Sequence, residues 1–127
     1  MARKKAPTLT DAELRIMQVV WEKGQATVTE VVEDLPRPSR PAYNTVLTTM
    51  RILEQKGYLQ HVKAGRAHIF QPLVSRPQAQ KKAMRHMLRS FFDDSPELLL
   101  VSILQDENIS PDELKRLREM IGENKGG

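Results

Sequence analysis

Apolar residues return every three or four positions over the first third of the chain. Leu14, Met17 and Trp21 fall on one stripe, widened by Ile16 and Val20, which predicts an amphipathic helix. Thr10 with Glu13 three residues later has the form of a capping box, and Leu9 and Leu14 occupy the two staple positions. Trp21 is assigned to the core, and Lys23-Gly24 closes the helix. Thr27 with Glu30 repeats the box and opens a short second helix, with Val28, Val31, Val32 and Leu35 turned inward. Pro36-Arg37-Pro38-Ser39-Arg40-Pro41 cannot be helix interior and reads as a stiff, basic connection. A third helix over 42–55 buries Val46, Met50 and Leu53 and presents Asn44, Thr48, Arg51 and Gln55 on the other face. Gly57 stops it, with Leu53 and Tyr58 placed for the hydrophobic contact of a glycine C-cap. Two strand-like runs follow, 58–63 and 67–71, joined by the basic tip Lys63-Ala64-Gly65-Arg66. Three helices and then a hairpin is the order of a winged helix-turn-helix.

Beyond Pro72 the pattern becomes wholly helical. Ser75 with Gln78 starts a segment to about Phe92 that carries Ala83, Met84, Met87, Leu88 and Phe91. Asp94-Ser95-Pro96-Glu97 opens a second segment, apolar nearly all round at Leu98-Leu99-Leu100-Val101. Ser110-Pro111-Asp112-Glu113 opens a third, with Leu114, Leu117, Met120 and Ile121 on one side. The expected fold is mainly α with a small β-hairpin. Its parts are a flexible basic arm at 1–8, a winged-helix domain at 9–73 and a three-helix dimerisation domain at 74–123. A helix apolar all round needs cover on several sides. A symmetric partner chain supplies that cover economically, and an intrachain core is the alternative. The expected dimer surface comprises Met84, Met87, Leu88 and Phe91, then Leu98, Leu100, Val101 and Leu104, and finally Leu114, Leu117 and Ile121.

Charge divides the chain in the same way. Residues 1–91 hold 16 Lys and Arg against 7 Asp and Glu, whereas 92–127 hold 4 against 9. A basic body with an acidic tail implies that only the first part faces a polyanion. The third helix suits a major groove, which is wide enough to admit it, and a basic hairpin beside it suits the phosphates or the minor groove. Double-stranded DNA is therefore the expected partner and transcription regulation the first functional class. Thr48 is the preferred base contact, with Thr45 nearer the flank of the helix. Asn44 either pairs with adenine or bonds to its own helix end. Tyr43, near the helix start, either packs or reaches a phosphate. Arg40, Arg51, Lys63 and Arg66 are candidate phosphate contacts, and solvated surface charge is the alternative for each. Arg3, Lys4 and Lys5 add general attraction.

Other classes lack support. There is no glycine-rich phosphate loop, nucleophile elbow or zinc-ligand spacing, so no enzyme, cofactor or metal is expected. Asp93-Asp94 reads as helix capping. His61, His68 and His86 lack metal spacing, and His61 and His68 fall on opposite arms of the hairpin as a structural contact. The methionines read as filler on helical apolar faces. Without cysteine there are no disulfides, which fits a cytoplasmic protein. No apolar run nears the roughly 20 residues of a membrane span, and no apolar stretch follows the basic N-terminal residues as in a secretory signal. A winged-helix module that binds protein rather than DNA is the alternative function. It would not need the polar third-helix face or Arg66.

Over about residues 9–121 the sequence resembles the penicillinase-repressor family of winged-helix regulators, the BlaI/MecI type. The similarity rests on Leu9-Thr10 with Glu13-Leu14, on Val20-Trp21-Glu22, on Tyr43-Asn44-Thr45-Val46-Leu47-Thr48, on Leu53-Glu54-Gln55-Lys56-Gly57 and on His61-Val62-Lys63-Ala64-Gly65-Arg66. The resemblance implies a homodimeric repressor on palindromic operators, with Thr45 and Thr48 facing the groove. It also implies inactivation by cleavage in the dimerisation domain, carried out by a membrane-bound sensor metalloprotease or a process it triggers. Where cleaved family members carry Asn-Phe, this chain has Ser102-Ile103. The C-terminal cysteine motifs of copper-responsive relatives are absent.

Overall fold

The computed structural model describes residues 8–36 and 41–124. Most of the basic arm, and Arg40 within the proline-rich connection, lie outside the described residues. Helix α1 spans Asp11–Lys23, α2 Val28–Asp34 and α3 Tyr43–Gln55, followed by strands β1 Leu59–Ala64 and β2 Ala67–Pro72. Helices α4 Arg76–Phe91, α5 Pro96–Leu104 and α6 Pro111–Asn124 complete the order. The architecture is the expected mainly α fold with one hairpin.

Local chemistry sets the boundaries. Both bonds of the capping box form at Thr10/Glu13 and again at Thr27/Glu30. The same reciprocal pair forms at Ser75/Gln78 and at Ser110/Glu113, while the Ser95 hydroxyl accepts from Leu98 N–H at the start of α5. Gly57, at φ +86°, ends α3 in a Schellman turn: Tyr58 N–H donates to Leu53 C=O at 2.9 Å, and Gly57 N–H to Glu54 C=O at 3.0 Å. Leu53 and Tyr58 are both fully buried. Strand β1 runs one residue further than expected at the tip, with Ala64 opposite Ala67, so Gly65 and Arg66 alone make the turn. Gly65 has φ +63° and Arg66 does not have positive φ, the sign pattern of a two-residue type II′ hairpin.

The first compact unit ends at His86, inside α4. Its core joins Ile16, Met17 and Val20 of α1 to Val28 and Val31 of α2, Val46, Met50 and Leu53 of α3, and Leu59 and Phe70 of the hairpin. Ala26 pairs with Phe70 as an isolated antiparallel bridge, so the segment before α2 fastens to the hairpin edge. Ala79 joins this core, Arg76 lies over the Trp21 ring at 5.5 Å and Lys82 over Tyr58 at 5.2 Å. The first half of α4 thus packs with the helices that precede it. Two expectations need correction. Leu14 is 38% exposed, because the stripe that is fully buried runs through Ile16, Met17 and Val20. Trp21 packs against this core but is only half-buried, its indole N–H donating to the Val74 carbonyl at 2.8 Å.

The second unit, Met87–Gly127, takes in the end of α4 with α5 and α6. Asp93 and Asp94 join α4 to α5 with φ +50° and +59°, two successive left-handed residues. Helix α5 buries none of its side chains fully. Leu98, Leu100, Val101 and Leu104 are exposed, as are Met87, Phe91, Leu117, Met120 and Ile121, and Phe91 reaches 78%. Met84, on the α4 segment of the first unit, is exposed too, and Leu114 is half-buried. Leu88, expected on the same outward surface, is only 4% exposed and is buried within the chain itself.

Among the described residues, Glu13 is the one buried charged residue, 5% exposed. Its Oε1 accepts from Thr10 N–H at 2.9 Å and from Lys56 Nζ at 2.7 Å, and Lys56 also donates to Thr8 C=O at 3.3 Å. Burial pushes the Glu13 carboxyl up, but the Lys56 and Thr10 hydrogen bonds and the Lys56 charge outweigh it and hold it below its ordinary 4.5. A lowered folded-state value means that the stabilisation is complete above 4.5 and is lost as pH falls through the folded value. Lys56→Met is expected to cost about 3 kcal/mol at neutral pH by leaving the carboxylate unpaired. The deficit should shrink at pH 3. Urea unfolding at both pH values checks this, and an equal deficit at each would contradict it.

Candidate nucleic-acid interface

The outward face of α3 is mainly polar, with Ile52 exposed among its polar residues. Asn44, Thr45, Thr48, Arg51 and Gln55 are exposed. Ala42, the N-cap, makes no side-chain hydrogen bond. Tyr43, left open between packing and phosphate contact, is 50% exposed at the first helical position. Thr45 lies on the flank toward α1, in a groove with Ala12, Arg15 and Thr49, and its carbonyl accepts the Thr49 hydroxyl at 2.9 Å. Thr48 stands clear, exposed on the face opposite Met50 and Leu53.

Between α3 and the hairpin lies a cleft of about 330 Å³. Tyr43 and Arg51 enter it from α3, Arg66 and His68 from the hairpin, and Thr27 and Thr29 from the start of α2. Three of the sequence-derived candidates, Tyr43, Arg51 and Arg66, therefore converge. Among the described residues, no carboxylate lines the cleft. Lys63, exposed, pairs with His68 across the strands. His68, Thr27 and Thr29 were not among the candidates, because each is brought to the cleft by tertiary packing. Only the alternation of the hairpin could have signalled His68.

His61 and His68 do meet, ring centroids 4.6 Å apart and 17° from parallel, and His61 Nδ1 lies 2.6 Å from Glu54 Oε2. No group of three or more metal-binding side chains occurs among the described residues. No helix among them is long and apolar enough to cross a membrane.

A helix with an outward polar face, braced by a hairpin with a cationic cleft between them, defines a winged-helix DNA-binding regulator. The penicillinase repressor family profile matches residues 9–123. The chain belongs to that family: it is a DNA-binding transcriptional repressor and not an enzyme. It is 27% identical to the penicillinase repressor of Bacillus licheniformis over 122 residues, covering 96% of this chain and 95% of that protein. It is 29% identical to the transcriptional regulator BlaI of Mycobacterium tuberculosis over 125 residues, covering 97% and 89%. The solution structure of the DNA-binding domain of the repressor BlaI superposes with a TM-score of 0.51 at 33% identity, covering 60% of this chain and 93% of that one.

Arg51→Ala and Arg66→Ala are each expected to weaken binding to every duplex alike and to flatten the slope of log affinity against log salt by about one unit. Anisotropy titrations from low to physiological salt measure it; an unchanged slope in both variants would remove the phosphate role.

Proposed function

We propose that the protein represses transcription as a homodimer on a palindromic operator in the cytoplasm. One α3 enters the major groove of each half-site, and the hairpins lie along the flanking phosphates. The supporting observation is the cleft between α3 and the wing, lined by Arg51 and Arg66 and by no carboxylate among the described residues, on a helix whose outward face exposes Thr48. Pairing through the second unit covers α5, which one chain leaves without a fully buried side chain. Met84, Met87, Phe91, Leu98, Leu100, Val101, Leu104, Leu114, Leu117 and Ile121 supply the pairing surface. Thr48 reads a base edge, its hydroxyl bonding and its methyl meeting thymine. Tyr43, Asn44, Thr45, Arg51, Lys63 and Arg66 set the register, together with Arg40 from the connection.

Release follows from loss of pairing. The Ser102–Ile103 bond lies inside α5, with Ser102 exposed and Ile103 half-buried. A cut there, by a membrane-bound sensor metalloprotease or a process it triggers, parts Leu98, Leu100 and Val101 from Leu104 and α6. Fragments ending at Ser102 in mass spectra of protein from derepressed cells check this step.

Binding to a random duplex should fall steeply between low and physiological salt; a flat response removes the DNA reading in favour of a protein-binding module. On the chain's own operator, located by footprinting its promoter, Thr48→Ala should cost about 1–3 kcal/mol and much less on random DNA. Equal losses on both would strip Thr48 of base reading. Leu100→Asp should give monomers in analytical ultracentrifugation, because an apolar seam does not accept an unpaired charge; an intact dimer would place the seam elsewhere.

A further inference from the structure

We propose that His68 is a further contact to the DNA backbone, held in place by Glu54 and His61 acting as positioning residues. The inference rests on the reading of the α3–wing cleft as phosphate-facing.

Strand register puts His61 opposite Phe70 and Lys63 opposite His68, so all four share one side of the hairpin. Phe70 is fully buried and anchors the row. The His61 ring lies 5.5 Å from Phe70, tilted by 46°, and His68 stacks on His61 at 4.6 Å. The row therefore runs outward from core to cleft. Glu54, near the end of α3, fixes the middle ring: a carboxylate only accepts, so His61 Nδ1–H donates to it at 2.6 Å. That bond joins the reading helix to the wing and leaves the outer ring, His68, lining the cleft with Arg51 and Arg66. Among the described residues, Glu54 meets the row at His61, Lys63 pairs with His68, and Arg51 and Arg66 line the cleft with His68. Glu54, the one carboxylate among them, is engaged by His61 and does not line the cleft. An imidazole N–H can donate to a phosphate oxygen whether the ring is neutral or charged. A histidine held between a fixed ring and two guanidinium groups is suited to that task.

The test uses the full chain and a random-sequence duplex of about 30 base pairs, since backbone contacts carry no sequence information. His68→Ala should weaken binding roughly fivefold or more, the scale of one hydrogen bond. His68→Gln, which retains an N–H donor, should recover part of the loss. His61→Ala should also weaken binding, but the double variant should lose no more than His68→Ala alone. Val62→Thr, on the opposite side of the hairpin, should bind as wild type. Thermal unfolding of each variant separates loss of grip from loss of fold. Normal wild-type binding with unchanged His68→Ala, or with additive losses at His61 and His68, overturns this proposal alone. A wild-type chain that binds no duplex removes the DNA reading and this proposal with it.

Discussion

The N-terminal unit depends on one pair of backbone hydrogen bonds. Ala26 N–H donates to Phe70 C=O at 3.0 Å, and Phe70 N–H to Ala26 C=O at 2.8 Å. Both residues are buried, so neither bond has water as a ready substitute. A two-stranded hairpin is marginal alone in water. Here the bridge makes the loop before α2 a third, minimal strand, and Phe70 carries the hairpin into the core. Without that attachment the cleft lined by Arg51, Arg66 and His68 would have one wall. Gln71 and Gln25 extend the seam by a side-chain bond at 3.1 Å.

The two units meet opposite demands. The first encloses its apolar residues well enough to hold a carboxylate, Glu13, against an ammonium at the far end of α3. The second leaves much of its leucine and methionine surface uncovered. Charge follows the same split: the cations concentrate where a polyanion is approached, and the acidic excess sits on the part read as the pairing half. The basic excess and the proposed pairing surface thus fall on separate stretches of sequence.

Much of this was legible from residue order because it is local. Capping boxes, the glycine that ends α3 and the buried faces of α2 and α3 are decided within a few residues, and there pattern and structure agree. The winged-helix class followed from element order, Arg51 and Arg66 as candidates from the outward side of α3 and the wing tip, and Tyr43 from its place at the helix start. What was not legible depends on distant partners. Leu14 fits the helical stripe, yet α1 turns Ile16, Met17 and Val20 inward instead. Leu88 follows the same periodicity as Met84 and Met87 but is covered by its own chain. Thr27, Thr29 and His68 reach the cleft from two elements whose spacing only the packed fold sets.

Only Lys56, Gly57 and Tyr58 separate the end of α3 from β1. Gly57 and Tyr58 are tied back to Glu54 and Leu53 by the two hydrogen bonds of the terminating turn. Helix α3 and the hairpin are consequently joined by a covalent ruler with no slack. On the proposed reading, side chains on α3 can be exchanged to suit a different base sequence without altering the reach of the hairpin, whereas a single residue inserted at that joint would shift the hairpin relative to α3 whatever bases were being read.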